Sequence, residues 1–404
     1  MTSPFEVNLV SRRRFIAGAA ALVAASGLRG VASQSGILRA YVGTYTETSG
    51  NGEGIYLFTM DRATGELRDR KLVAKSPSPS WIVIHPNHRF LYAANEVNDY
   101  EGNSGSISAF SVDAASGDLT LLNVVSSEGA GPAYLSLDGT GKFAFVANYA
   151  GGTLAALPIL ESGALGPAVF KHQDEGALGA AQANTAPAGS FAISGHDAPH
   201  VHMIAASPDN RFVLATDLGQ DRIYIYSFDA KSGKLTPNGT TPFVALPSGD
   251  GPRHFAFHPS GRYLFAMQEE SSTVVSFRYD AATGNLTPQQ TISALPDGFA
   301  GTSFASEILV SPDGKSLYAA NRLHDTIAVY AINREGHLSR IGETPTGGDY
   351  PVQCRIDPTG NFFYACNRKS DSITSFRIDR ATGRLTSTGR FTVVGSAASI
   401  TFLE

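Results

Sequence analysis

The sequence predicts an all-β protein: a seven-bladed β-propeller of four-stranded antiparallel blades, its ring closed by N- and C-terminal strands sharing one blade. Three observations carry that prediction. A Gly-x-Leu turn recurs at Gly65-Leu67, Gly117-Leu119, Gly163-Leu165, Gly233-Leu235, Gly284-Leu286, Gly336-Leu338 and Gly383-Leu385, with successive glycines 52, 46, 70, 51, 52 and 47 residues apart. Each interval reads as four short apolar runs broken by turns. The two ends of the chain hold incomplete units that complete one another. Repeats that stack into one body count as one domain, so the 404 residues need not divide into the two or three domains that length alone suggests.

Residues 1–35 read as a segment apart from the propeller, which is expected to occupy 36–404. Ser11-Arg12-Arg13-Arg14-Phe15-Ile16 precedes an apolar stretch, Ala17 to Ala25, and then small residues around Val31-Ala32-Ser33. A basic region, a short apolar core and a small-residue cleavage site make a secretory signal. The paired Arg followed by Phe-Ile resembles a twin-arginine export signal, so export machinery is an expected partner and the location is periplasmic or secreted. A bilayer-spanning helix needs ~20 apolar residues, and Arg29 interrupts this run too soon. No stable membrane anchor is expected, the other reading being an uncleaved amphipathic one.

Leu38 to Thr44 looks like a second strand without its own first strand. Ala398 to Leu403 looks like a strand without successors. Joining them makes the seventh blade and removes the free edges that would template aggregation. The clearest unit runs from Gly251 to Leu286, with strands expected at roughly 253–258, 262–268, 273–279 and 285–292. Blades pack face to face, so inner strands are buried on both sides and Tyr263-Leu-Phe-Ala-Met267 is apolar throughout. The closing turn, as in Asp61-Arg62-Ala63-Thr64-Gly65, requires a residue at positive φ, which Gly supplies at little cost.

Two further segments stand out. Loop 171–199, rich in Ala, Gly and polar residues, reads as a lid over a site or as a disordered decoration. The two cysteines, Cys354 and Cys366, flank one hairpin turn, Asp357–Asn361, almost symmetrically. That placement sets them opposite each other on paired strands, where an oxidising compartment would permit a bridge. Two buried free thiols are the preferred reading, and the CxxC spacing of a zinc or redox site is absent.

The formal charge is −5, and leaving out residues 1–33, with their four Arg and one Glu, takes it to −8. No basic stripe remains, which argues against nucleic acid as a partner.

Aligning the units separates scaffold from site. At the end of each second strand stand Asn95, Asn148, Asp217, Gln268, Asn321 and Asn367. A short polar group recurring there is most simply structural, bonding backbone at the strand end. A ring of calcium ligands is the weaker reading, because only Asp217 is charged. The next residue varies: Glu96, Tyr149, Leu218, Glu269, Arg322 and Arg368. The first residue of the first strand also varies: Ser80, Ala133, His202, Arg253, Ser306 and Val352. In an antiparallel blade these two positions lie at the same end, so His202, Arg253, Glu269 and Arg322 should converge at one mouth of the ring. Convergent polar groups on a rigid scaffold suit a small-molecule site; a solvated rim of ordinary surface charge is the alternative. His200, two residues from His202, could form a metal pair, but no third ligand presents itself. His254, Glu307 and Trp81 share one position and are expected on the face opposite Arg253, in a role between blades.

The motifs Pro199-His-x-His202, Asp217-Leu-Gly-x-Asp221, Gly251-Pro-Arg-His-x-x-x-His-Pro259 and Leu317-Tyr-Ala-Ala-Asn-Arg322 resemble the lactonase family of seven-bladed propellers. That family includes the propeller-type 6-phosphogluconolactonases and the carboxy-cis,cis-muconate cyclase. The resemblance covers roughly residues 38–404. It implies a site made of a His, an Arg from a Pro-Arg motif, a Glu sixteen residues on, and a further Arg. Carried over by motif, these are His202, Arg253, Glu269 and Arg322, the set reached from deviation between the repeats.

The resemblance implies hydrolysis of 6-phosphogluconolactone or another anionic sugar-acid lactone, with no cofactor and no metal. Arg253 and Arg322 would hold the anionic group and polarise the carbonyl, and Glu269 or His202 would act as general base on water. No nucleophile elbow is visible, so a covalent acyl-enzyme is not expected. The alternatives are the reverse, lactone-forming muconate chemistry, and a non-catalytic propeller that binds a carbohydrate or a protein.

Overall fold

The strand Ala397–Leu403 pairs antiparallel with Ile37–Thr44, setting Ala40 opposite Phe402 and Val42 opposite Ile400. This pairing closes the ring. The computed structural model describes residues 37–46, 50–189, 192–193 and 195–404. Residues 1–35, read as an export signal, lie outside the described residues.

The described residues form seven antiparallel sheets, the blades of a propeller. Blade I joins Ala397–Leu403, Ile37–Thr44, Ile55–Asp61 and Leu67–Ala74. Blades II to VII follow along the chain, over residues 79–126, 132–173, 201–245, 252–293, 304–345 and 351–393. In blade V the strands are Pro252–Phe257, Tyr263–Gln268, Thr273–Tyr279 and Leu286–Ser293, each within a residue of its expected bounds. Blade IV departs from four strands. Its outer edge is split between Lys234–Pro237 and Phe243–Ala245, both paired with Arg222–Asp229. Pro237 and Pro242 bound the gap, where a residue without an N–H cannot continue a ladder.

The core is divided among the blade interfaces. Seven apolar clusters each fill one interface, including that between blades VII and I. Between blades V and VI, for example, fully buried Phe265 and Met267 meet Leu317, Ala319 and Tyr330. The repeated turn also links neighbours. Tyr41, Tyr92, Tyr318 and Tyr364 each donate a hydroxyl to the turn-glycine carbonyl of the next blade, Gly117, Gly163, Gly383 and Gly65, at 2.7 to 3.0 Å. At Gly163 φ is +86° and a Cβ would lie 2.2 Å from the Phe90 ring, so conformation and close packing both require Gly.

The polar residues ending the second strands are fully buried and bond locally. Asn148 Nδ2 donates to Ser127 O at 2.8 Å and Asn321 Nδ2 to Ala294 O at 2.9 Å. Asp217 Oδ1 accepts from the backbone N–H groups of His200 and Gln220. This is the structural role expected of them.

Cys354 and Cys366 are free and buried. They are not directly opposed: Cys354 faces Ala365, and Cys366 faces Gln353. The one-residue offset sends them to opposite faces of blade VII, Cys354 toward blade VI and Cys366 toward blade I. Burial raises both thiol pKa values above their ordinary range.

A bulge sits at the same place in every innermost strand. Pairing skips one residue at Ser80, Ala133, His202, Arg253, Val352 and Ala398, and the two residues Ser306 and Glu307 oppose one in blade VI. An extra residue there breaks the alternation of side chains and re-aims them.

Candidate active site

The bulged end of the ring opens on a cavity of about 200 Å³ whose walls include His202, Arg253, Glu269 and Arg322. The bulges of blades IV and V present His202 and Arg253. Glu269 directly follows the second strand of blade V, and Arg322 ends the second strand of blade VI. Three consecutive blades thus bring the expected four residues together, each 7–8% exposed.

Glu269 joins the two arginines. Its Oε2 forms ion pairs with both, 2.8 Å from Arg253 Nε and 2.7 Å from Arg322 Nη2. Arg253 also donates to Ser306 O. Arg322 donates to Phe304 O and Ala305 O at 3.3 and 3.2 Å. Two buried guanidiniums are therefore fixed by backbone carbonyls and share one carboxylate oxygen. Their forks face the cavity as a preorganised positive wall.

His202 packs edge-on against the His254 and Tyr149 rings, and its Nδ1 has no hydrogen-bond partner. Burial, then the charges of Arg253 and Arg322, hold its pKa well below the usual 6.5. The imidazole is neutral.

The expectation for His254 and Trp81 is corrected. Both line the cavity beside Arg253 and Ser80 and do not face away from it. The bulge is the reason: one extra residue lets two successive side chains reach the lumen. The role between blades does hold for His254, whose Nδ1 lies 3.1 Å from Glu307 Oε1 on blade VI. Burial raises Glu307 to about 7.

His200 does not pair with His202 as a ligand. Its ring stacks on Tyr149, and its two nitrogens meet Tyr149 O at 2.8 Å and Asp197 Oδ1 at 3.0 Å. Residues 171–173 of the expected loop belong to the outer strand of blade III, and described residues beyond them bond to blades IV to VI at the same end of the ring. Gly179 bonds Gly219 O, Ala180 bonds Ser248 Oγ, and Gly301 N donates to Gly189 O. His196 of this loop lies 3.2 Å from Asp221. The described loop residues are absent from the cavity wall.

Blades II and VII add a second polar group that was not singled out with the expected four residues. Glu96 and Arg368 occupy the positions of Glu269 and Arg322 in blades II and VII, and both line the cavity. Tyr45 donates to Glu96 Oε2 at 2.9 Å, and the Arg368 guanidinium lies 3.8 Å from the Tyr45 ring centre. Burial raises the Glu96 pKa, and the neighbouring Ser80 and Tyr45 hydroxyls, then Arg368 and Arg253, offset part of the shift. Departure from the repeat marked Glu96 and Arg368 as strongly as Glu269 and Arg322. The contribution of Tyr45, from a loop after the first described strand, had no such signal.

Comparison with known proteins agrees with this fold. The family described as "Lactonase, 7-bladed beta-propeller" matches residues 39–402. The 6-phosphogluconolactonase of Bacillus subtilis (strain 168) is 35% identical over 312 residues, which is 77% of this chain and 82% of the relative. That of Formosa agariphila is 31% identical over 318 residues, 77% of this chain and 84% of its own length. Among solved structures, the periplasmic gluconolactonase of Pseudomonas aeruginosa superposes with a TM-score of 0.81 at 29% identity, covering 91% of this chain and 99% of that one.

Proposed function

The chain belongs to the family of seven-bladed β-propeller lactonases, and from that premise we propose that it hydrolyses a sugar-acid lactone in the cavity holding His202, Arg253, Glu269 and Arg322. The observation carrying the proposal is the convergence of Arg253 and Arg322 on one oxygen of Glu269 at the cavity wall.

Arg253 and Arg322 receive the lactone carbonyl oxygen and any anionic group beside it. As water adds, negative charge grows on that oxygen, and one such donor is worth roughly 10²–10³ in kcat. Glu269 keeps both guanidiniums in place. His202 is the general base: it is neutral, and its Nδ1 is unengaged, whereas Glu269 Oε2 is already ion-paired with both guanidiniums. It takes a proton from water as the water oxygen bonds to the carbonyl carbon, a contribution of roughly 10²–10⁴-fold. The guanidiniums supply the positive charge, so the reaction is written without a metal.

The export signal read in residues 1–35 supports a periplasmic or secreted protein, and with it a lactone found outside the cytoplasm. The named location of the Pseudomonas relative is in keeping with that. Following acid release by the purified protein from glucono-, 6-phosphoglucono- and muconolactone tests the reaction and ranks the substrates. Hydrolysis of a sugar-acid lactone supports the proposal, and turnover of none of them contradicts it. Replacing Arg12 and Arg13 with Lys and fractionating the cells tests the export route; an unchanged distribution contradicts it.

A further inference from the structure

We infer that Glu96 is the proton donor of this site, protonating the lactone's ring oxygen as the ester bond breaks. The inference rests on the lactonase reading above.

Glu96 and Glu269 occupy the same position in their blades, each following the buried amide that ends the second strand, Asn95 or Gln268. Blades II and V lie three apart in a ring of seven, so the two carboxyl groups approach one cavity from opposite sides. Their surroundings differ in kind. Glu269 is clamped between two guanidiniums, at 2.8 and 2.7 Å. Glu96 has a phenol as its partner, Tyr45 Oη at 2.9 Å. Burial is the largest influence on Glu96 and favours its neutral form. Two carboxyls of one cavity in such unlike surroundings suit different roles, the ion-paired one a clamp and the other an acid.

Lactone hydrolysis needs such an acid. His202 takes one proton from water while the water oxygen bonds to the carbonyl carbon, and Arg253 and Arg322 hold the resulting oxyanion. When the adduct collapses, the ring C–O bond breaks and its electron pair leaves on the ring oxygen. A sugar alkoxide is a poor leaving group, and the proton of Glu96 converts it to a hydroxyl as it departs. The product is the hydroxy acid. Proton exchange with water returns His202 to the neutral base and Glu96 to the acid. With the carbonyl oxygen at the arginine wall, the opposite wall is where the ring oxygen can meet an acid, and Glu96 with its aligning Tyr45 is there.

The test uses Glu96→Gln and two probes, glucono-δ-lactone, which expels an alkoxide, and dihydrocoumarin, which expels a phenolate needing no acid. The expected result is a loss of about 10²-fold in kcat on gluconolactone, only a few-fold on dihydrocoumarin, and disappearance of the alkaline limb of the kcat profile. Glu96→Asp, which keeps a transferable proton, should recover part of the gluconolactone rate. Equal losses on both probes, or an unchanged alkaline limb, overturn the donor role. Failure of the wild-type protein to hydrolyse either probe overturns the lactonase reading itself. The two failures are thus distinct.

Discussion

Arg253 and Arg322, on neighbouring blades, pair with the same oxygen of Glu269, at 2.8 and 2.7 Å. Replacing Glu269 with Gln removes the anion but keeps the shape, leaving two buried guanidiniums facing each other. Breaking a buried ion pair from one side costs about 3–5 kcal/mol, and misplacing a positioned group by an ångström costs about 10²-fold in rate. Glu269→Gln should therefore lose both melting temperature and kcat. Calorimetry and steady-state kinetics check this, and a variant matching the parent in both contradicts the clamp.

The neutral state of His202 sets the acid side of the pH profile. Burial and the two arginines hold its pKa well below the usual 6.5, so the base stays unprotonated as pH falls through that value. The profile of kcat/KM should stay level through pH 6.5 and fall only well beneath it. A half-maximal point near 6.5 contradicts the assignment, as does a His202→Ala variant with an unaltered acid limb.

Glu307 gives stability a pH dependence of known sign. Burial raises its folded-state pKa from the ordinary 4.5 to about 7. Between those values the native protein keeps a proton that the unfolded chain has released, so stability falls as pH rises. The loss is about 1.4 kcal/mol per unit, up to about 3 kcal/mol, and is complete above pH 7. Glu307→Gln should flatten that part of the curve, making the variant more stable than the parent at pH 8 relative to pH 5. Melting temperatures of the two proteins across this range decide it, and parallel curves contradict it.

Closure of the ring by residues 397–403 predicts a global effect of a terminal deletion. Ile400 and Ala397 pack toward blade VII, and Leu403 packs toward blade II. Removing residues 398–404 takes away a strand and exposes both interfaces. The melting temperature should fall for the whole domain in one step, and a truncation as stable as the parent contradicts closure.

The repeat was legible because Gly-x-Leu answers a local requirement, a positive φ that every copy adopts, packed in most copies beneath a neighbour's aromatic ring. The meeting of His202, Arg253, Glu269 and Arg322 was legible because antiparallel pairing sets strand starts beside strand ends. The bulge was not. An extra residue leaves the apolar pattern intact, yet it turns His254 and Trp81 into the lumen, against the alternation a regular strand would impose. The weight of Glu96 was also hidden, since its character comes from burial and from Tyr45, fifty-one residues earlier in the chain.

The role of the arginine wall in lactone hydrolysis is decided by Arg253→Ala measured beside the parent, by acid release from sugar-acid lactones together with melting temperature. The expected result is hydrolysis by the parent, a loss of kcat/KM of about 10²–10³-fold or more in the variant, and a ring that still melts cooperatively. Full lactonase activity in a folded Arg253→Ala protein would contradict it.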